Sequence, residues 1–270
     1  MTEREYNQAN GVRRSALWHM RESPEKYKYF LENPEPQTPA LLFGAAVHKM
    51  LLEPDKFFDE YAVLPNVDRR TKAGKEEYER FLETLGERTA ITQDDYTTAY
   101  DMTSKARSVP MVEKLLKGEH EKSIFWTDED TGIKCKVRLD LLTEIDGRFV
   151  VADYKSANNA KTEIFNNKMF DFGYHLQAYM YTEAVMKELK LDYRPDFIFI
   201  AQEKKAPFAL NLILVTEDVM TAGMDAFRLY MGMLHYCEQT GYWYGYNGPF
   251  DEVNESFLPG WMTMGEEETE

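Results

Sequence analysis

The residues best placed to do chemistry lie between 132 and 157, in the stretch GIKCKVRLDLLTEIDGRFVVADYKSA. Asp146-Gly147 is a strong two-residue hairpin signal, because a type I′ turn needs positive φ at both central positions. Apolar Ile133, Cys135, Val137, Leu139 and Leu141 alternate with polar residues before it, and Phe149, Val150, Val151 and Ala152 follow it. Counted outward from the turn, Asp140 falls opposite Asp153 and Arg138 opposite Lys155. Directly opposed residues share a face with Cβ atoms about 5 Å apart, where like charges destabilise the pair. Two carboxylates at that separation suit a hard divalent cation such as Mg2+. Lys155 projects from the same strand face as Asp153.

Asp140 followed by Asp153-Tyr154-Lys155 resembles the PD-(D/E)XK nuclease motif. Gln177-Ala-Tyr-Met-Tyr181 downstream is similar to the RecB-like branch. Phe43-Gly-Ala-Ala-Val-His48, Leu51-Leu-Glu-Pro54 and the run from Asp68 to Lys75 are similar to phage and prophage RecE-type (exodeoxyribonuclease VIII-like) exonucleases. The resemblance covers roughly residues 12 to 245. It implies an α/β fold: a PD-(D/E)XK nuclease-like core, a small mixed β-sheet flanked by helices, with a helical insertion. It also implies Mg2+-dependent (or Mn2+-dependent) DNA hydrolysis, 5′→3′ from linear duplex ends to leave 3′ single strands for recombination. Duplex ends are then the substrate, a single-strand annealing protein is the expected partner, and a homo-oligomer is plausible. By the same resemblance His48, Asp140, Asp153 and the Tyr154 carbonyl hold the metal, and Glu121 serves a second metal. Lys155 acts on the attacking water, while Gln177 and Tyr181 position the substrate. An endonuclease or single-strand nuclease of the same fold, or a non-enzymatic acidic interaction module on a decayed nuclease fold, are the rival readings.

Several elements must position these residues. The segment 40–53 reads as a helix ending at Pro54, with Gly44 and His48 on one face. By position alone His48 reads as a core histidine, and the resemblance makes it a ligand, with Gly44 allowing close backbone approach. Helices are expected from Ser15, from Ser23-Pro24, over 76–85, and over 93–108 capped by Thr92. Residues 54–118 read as a helical insertion able to arch over a groove. Its Arg69, Arg70, Lys72 and Lys75, with Lys134, Lys136 and Arg138 on the hairpin, are candidate DNA contacts. The basic run reads equally well as a solvated loop.

A strand over 121–127 starts with Glu121, which reads either as an edge-strand acid or as the upstream acid of the motif. A helix from about Phe172 sets Gln177 and Tyr181 four apart, and Gln in an otherwise aromatic stripe is unusual for a core face. Strands follow at 196–201 and 208–215, then a long helix at 217–239. The aromatic stretch 241–248 reads as packing rather than base stacking.

The chain has 270 residues, 43% of them hydrophobic, and a net charge of −15. A single nuclease domain over 1–248 and an acidic tail over 249–270, disordered towards its end, account for that length. The tail carries seven acids and no Lys or Arg, so residues 1–248 retain −8. That total excludes loose electrostatic coating of DNA but not a local basic groove. No apolar run reaches the ~20 residues of a membrane span. Two cysteines point to a reducing cytoplasm and are too few for a four-cysteine iron–sulfur cluster.

Overall fold

The computed structural model describes residues 1–34 and 36–257. The chain opens with α1 (Glu3–Gln8), α2 (Arg14–Leu17), α3 (Pro24–Glu32) and α4 (Pro39–Leu52). Then come α5 (Phe57–Glu60), β1 (Tyr61–Val63), α6 (Lys72–Leu85), β2 (Thr89–Ile91), α7 (Gln93–Arg107) and α8 (Pro110–Leu115). The second half holds β3 (Glu119–Thr127), β4 (Lys134–Ile145), β5 (Arg148–Ala157), α9 (Thr162–Asp171), α10 (Tyr174–Leu189), β6 (Asp196–Glu203), β7 (Leu210–Leu214) and α11 (Glu217–Thr240). Local chemistry sets many helix starts. Ser23, Thr38, Thr71 and Thr92 each cap a helix with a side-chain oxygen, and proline follows at the first turn of α3 and α4.

Five strands form one mixed sheet in the order β3-β4-β5-β6-β7, with only β5 and β6 parallel. One apolar cluster joins the sheet to α10 and α11 through Val137, Leu139, Val151, Phe197, Phe199, Leu176, Met180, Phe227 and Met231. A second joins the opposite side to α4, α7 and α8 through Val47, Leu51, Met102, Ala106, Leu115, Leu141, Ala152, Tyr154 and Ile200. Strand alternation explains this division on β5, where Val151 faces one cluster and Val150 and Ala152 the other. On β4 the alternation slips. Leu139 and Leu142 belong to one cluster and Leu141 to the other, so the faces exchange around Asp140.

The hairpin turn is where the sequence places it, with Ile145 paired to Arg148 and Asp146 and Gly147 both at positive φ. The β4–β5 ladder ends at Leu141–Ala152, whereas β5 continues beside β6 to Ala157–Glu203. Asp140 and Asp153 are therefore not a bonded cross-strand pair. They stand at the opening of a fork. Part of the β4 edge freed by the fork is taken by the N-terminal segment: Val12 N–H donates to the Lys134 carbonyl at 2.8 Å and the Val12 carbonyl accepts from Lys136 N–H at 2.9 Å.

Two further expectations need correction. Residues 54–118 do not simply arch outward, because α7 and α8 supply much of the second core. Only α6 lies outside it in that way, burying Gly74 alone. The helix expected to start at Ser15 begins at Arg14, without a side-chain cap. Helix α9 and the small parallel β1–β2 pair carry little signal; α9 has no side-chain cap and β1 and β2 are three residues each. Residues 250–257 are exposed and form no helix or strand, and the rest of the acidic tail lies outside the described residues.

The start of α10 is tightly determined. Gly173 sits at φ +67, and a Cβ there would lie 2.5 Å from the Trp18 ring. Gly173→Ala is expected to destabilise the fold by about 2 kcal/mol or more, combining backbone strain with overpacking. Urea unfolding followed by circular dichroism checks this, and an unchanged midpoint would contradict the Trp18 contact.

Candidate active site

Asp153 on β5 is 1% exposed, and Gln177 on α10 donates its amide to Asp153 Oδ1. Lys155 Nζ lies 2.7 Å from Oδ2 in an ion pair, and no other donor reaches this buried oxygen. The same ammonium sits 4.7 Å from the centre of the Tyr174 ring. Asp140 on β4 engages the other side. Its Oδ2 accepts the Tyr154 N–H at 2.9 Å and lies 2.7 Å from Nε2 of His48 on α4. His48 Nδ1 is 3.2 Å from Glu121 Oε1, and Arg138 Nε donates to Glu121 Oε2.

Glu121 holds its place by an unusual backbone. It has φ +52 within β3, and the β3–β4 register passes over it between His120–Leu141 and Lys122–Leu139. A left-handed non-glycine residue costs on the order of 1–3 kcal/mol and clusters at functional sites.

Charge balance follows from these contacts. Burial alone would push the His48 imidazole down, but the Asp140 and Glu121 carboxylates outweigh it and raise it to about 10. Burial pushes Glu121 up, and His48 and Arg138 overcome that and hold it below its ordinary value. Burial and the neighbouring Asp140 charge raise Asp153 to about 6, against the opposing pull of Lys155. Burial, with the charges of Asp153 and Asp140, holds Tyr181 well above the ordinary phenol range, so it stays a donor.

A cavity of about 290 Å³ is lined by His48, Arg138, Asp140, Asp153, Tyr154, Lys155, Gln177 and Tyr181. Glu121 lines an adjoining cavity of about 200 Å³ that shares Tyr6, His48 and Arg138 with the first. Sequence separations of more than a hundred residues are thus closed by the fold.

The basic run is elsewhere. Arg69 lies over the Tyr78 ring, Arg70 is paired to Asp68, and Lys72 is 3.8 Å from Glu76. None of Arg69, Arg70, Lys72 and Lys75 lines either cavity. The assignment of Lys136 as a free DNA contact is corrected outright. It is 4% exposed, and its Nζ donates to the carbonyls of Tyr6 at 2.8 Å, Asn7 at 3.3 Å and Ala9 at 2.6 Å. It caps the C-terminal end of α1. Gly44 is not required for close approach either, since a Cβ there meets Ser156 Oγ at an ordinary 3.5 Å.

Arg13 and Arg14 line the site cavity and were not selected from sequence. Arg14 reaches Gln177 Oε1 at 3.4 Å and the Phe172 carbonyl at 3.0 Å, so it braces the residue that braces Asp153. Two adjacent arginines in an acidic chain were a usable signal.

Among the described residues no three His, Cys, Asp or Glu side chains stand in a ready metal-holding group. Asp140 Oδ2 is turned towards His48 and Tyr154 N–H, and the Glu121 oxygens towards His48 and Arg138. The donor chemistry nevertheless fits a hard divalent cation: carboxylate oxygens, among them a buried Asp153 Oδ2 whose one polar neighbour is the Lys155 ammonium.

A forked mixed sheet with an Asp on one tine and Asp-x-Lys on the other defines a PD-(D/E)XK nuclease-type fold. Residues 14–255 match the family described as a PDDEXK-like domain of unknown function (DUF3799), and the chain belongs to that family. No curated protein matches it. Among solved structures it is similar to a protein from Eubacterium rectale provisionally designated an exonuclease, with 14% identity and a TM-score of 0.63, over 99% of this chain and 98% of that one. At that identity the likeness bears on the fold alone. It also aligns with SSO0001 at 12% identity and a TM-score of 0.39, over 82% of this chain and 77% of that one. No helix among the described residues is long and apolar enough to cross a membrane.

An acid whose native value is raised binds more protons folded than unfolded, so stability falls as pH rises between the two values. Here that window runs from the ordinary Asp value of 3.8 to about 6. Asp153→Asn removes the penalty, so in EDTA at neutral pH the variant should be at least as stable as wild type, by on the order of 1 kcal/mol. The advantage should vanish below the window. Urea titrations on both sides of it check the sign, and a variant markedly less stable at neutral pH would contradict it.

Proposed function

We propose that the chain is a Mg2+-dependent DNA exonuclease of RecE type, acting 5′→3′ from linear duplex ends to leave 3′ single strands. The observation that carries this reading is the pairing of Lys155 with a buried, donor-poor Asp153 oxygen across a fork from Asp140. Asp140, Asp153, the Tyr154 carbonyl and His48 would hold the cation, with Glu121 available to a second. The cation would lower the pKa of a bound water and offset charge on the phosphate.

The protein groups supply the rest. Lys155 brings positive charge to the place where negative charge grows, and it orients the attacking water. Gln177 fixes one Asp153 oxygen, and Lys155 pairs with the other. Tyr181, kept protonated, donates to a phosphate oxygen. Arg14 holds Gln177 and adds charge beside the phosphate. Arg69, Arg70, Lys72 and Lys75 would meet only a substrate extending past the cavity. A single-strand annealing protein is the partner such products call for, and a homo-oligomer belongs to the same reading.

Linear duplex labelled separately at each end, digested with Mg2+ and with EDTA, tests the reading. The expected outcome is early release of the 5′ label, no cutting in EDTA and no action on covalently closed circles. Release of the 3′ label first would reverse the polarity, and cutting of closed circles would replace exonuclease with endonuclease. Asp153→Asn should abolish cleavage in this assay. Lys155→Ala should keep cation binding and lose about 10²–10³ in turnover. Cation affinity measured by calorimetry separates the two roles.

A further inference from the structure

A groove of about 1120 Å³ adjoins the active-site cavity and has no part in the chemistry above. The two lie side by side, with Arg13 and Lys136 in the walls of both. We propose that this groove holds an unpaired strand of nucleic acid leading to or from the reacting phosphate. The proposal rests on the hydrolytic reading of the site and specifies the form of its substrate there.

Charge favours that occupant. The chain carries 47 acids against 32 basic residues. Within the groove the balance is inverted: Arg13 and Lys134 face a single acid, Glu238. Lys134 is exposed at the start of β4. A locally cationic trough in an acidic protein concentrates a polyanion without attracting DNA to the rest of the surface.

The remaining lining is suited to single rather than paired bases. Asn10 and Gln239 offer amides that can both donate and accept, as exposed base edges require. Leu31 and Pro34 give an apolar wall, with Leu31 52% exposed. Unpaired bases expose faces that pack on such a wall, whereas a duplex presents mainly its phosphates there. The size agrees. A volume of about 1120 Å³ accommodates a few nucleotides.

The test uses full-length Asp153→Asn protein in EDTA, so binding is read without cleavage. Fluorescence anisotropy is measured with a short labelled oligothymidylate and with a blunt duplex of the same length, over a range of salt. The oligothymidylate should bind more tightly. Adding Lys134→Gln should weaken that binding several-fold and flatten its log–log salt slope by about 0.7, the value for one phosphate contact on a single strand. Adding Gln239→Glu, at an exposed position on α11, should weaken it several-fold without touching the sheet. Unchanged single-strand affinity in both variants would overturn the proposal. Equal weakening of duplex and single strand would overturn it too, by making the groove a general phosphate contact. Cleavage plays no part in this readout, so failure of the hydrolytic reading shows separately, in the end-labelled digestion.

Discussion

The Asp140 carboxylate accepts the backbone N–H of Tyr154 just where β4 and β5 stop bonding to each other. A sheet cannot open at its centre without leaving backbone donors and acceptors to be satisfied. Here one donor is satisfied by the Asp140 side chain, and part of the β4 edge is satisfied by Val12. The fork lets His48 of α4 reach Asp140 and Gln177 of α10 reach Asp153, although the two helices pack in different cores.

Holding the fork open falls to buried contacts behind it. The Tyr154 hydroxyl donates to Gln202 Oε1 at 2.7 Å, and Gln202 Nε2 donates to the Met102 carbonyl at 3.0 Å. Gln202 is fully buried, so this chain ties β5, β6 and α7 together where an unpaired polar group would be costly. Helix α7 thereby joins the framework of the site. On the other side Lys136 gathers three carbonyls of the N-terminal segment and fixes Tyr6 against the cavity. A lysine this buried is tolerated because its donors are all used.

The chain also solves an electrostatic problem locally. Acids outnumber bases overall, yet the residues around the cavity alternate in sign: Asp153 with Lys155, Asp140 with His48, Glu121 with His48 and Arg138. Each charge is stabilised by a neighbour in a setting where water screens poorly. Glu121 reaches this network only through its left-handed backbone, so a strained residue is retained where it completes a charge pair.

Sequence by itself determined the local features. The Asp146-Gly147 turn, the spacing of Asp153 and Lys155, the pairing of Gln177 with Tyr181 on one helix face and the Ser23 and Thr92 starts depend on contacts a few residues apart. The order of elements and the mixed sheet followed from them. Tertiary structure decided the rest, because it turns on which elements meet. Counting from the turn places Asp140 opposite Asp153, but only packing on both faces shows that the ladder ends first. Lys136 and Arg70 are alike as letters, yet one is enclosed by carbonyls and the other stands in solvent beside Asp68. Arg14 gains its role from Gln177, separated along the chain by most of the sheet and brought near by the close seat of Gly173 on Trp18. Periodicity records which side of an element is apolar; it carries no information about which charged side chain the opposite element will present.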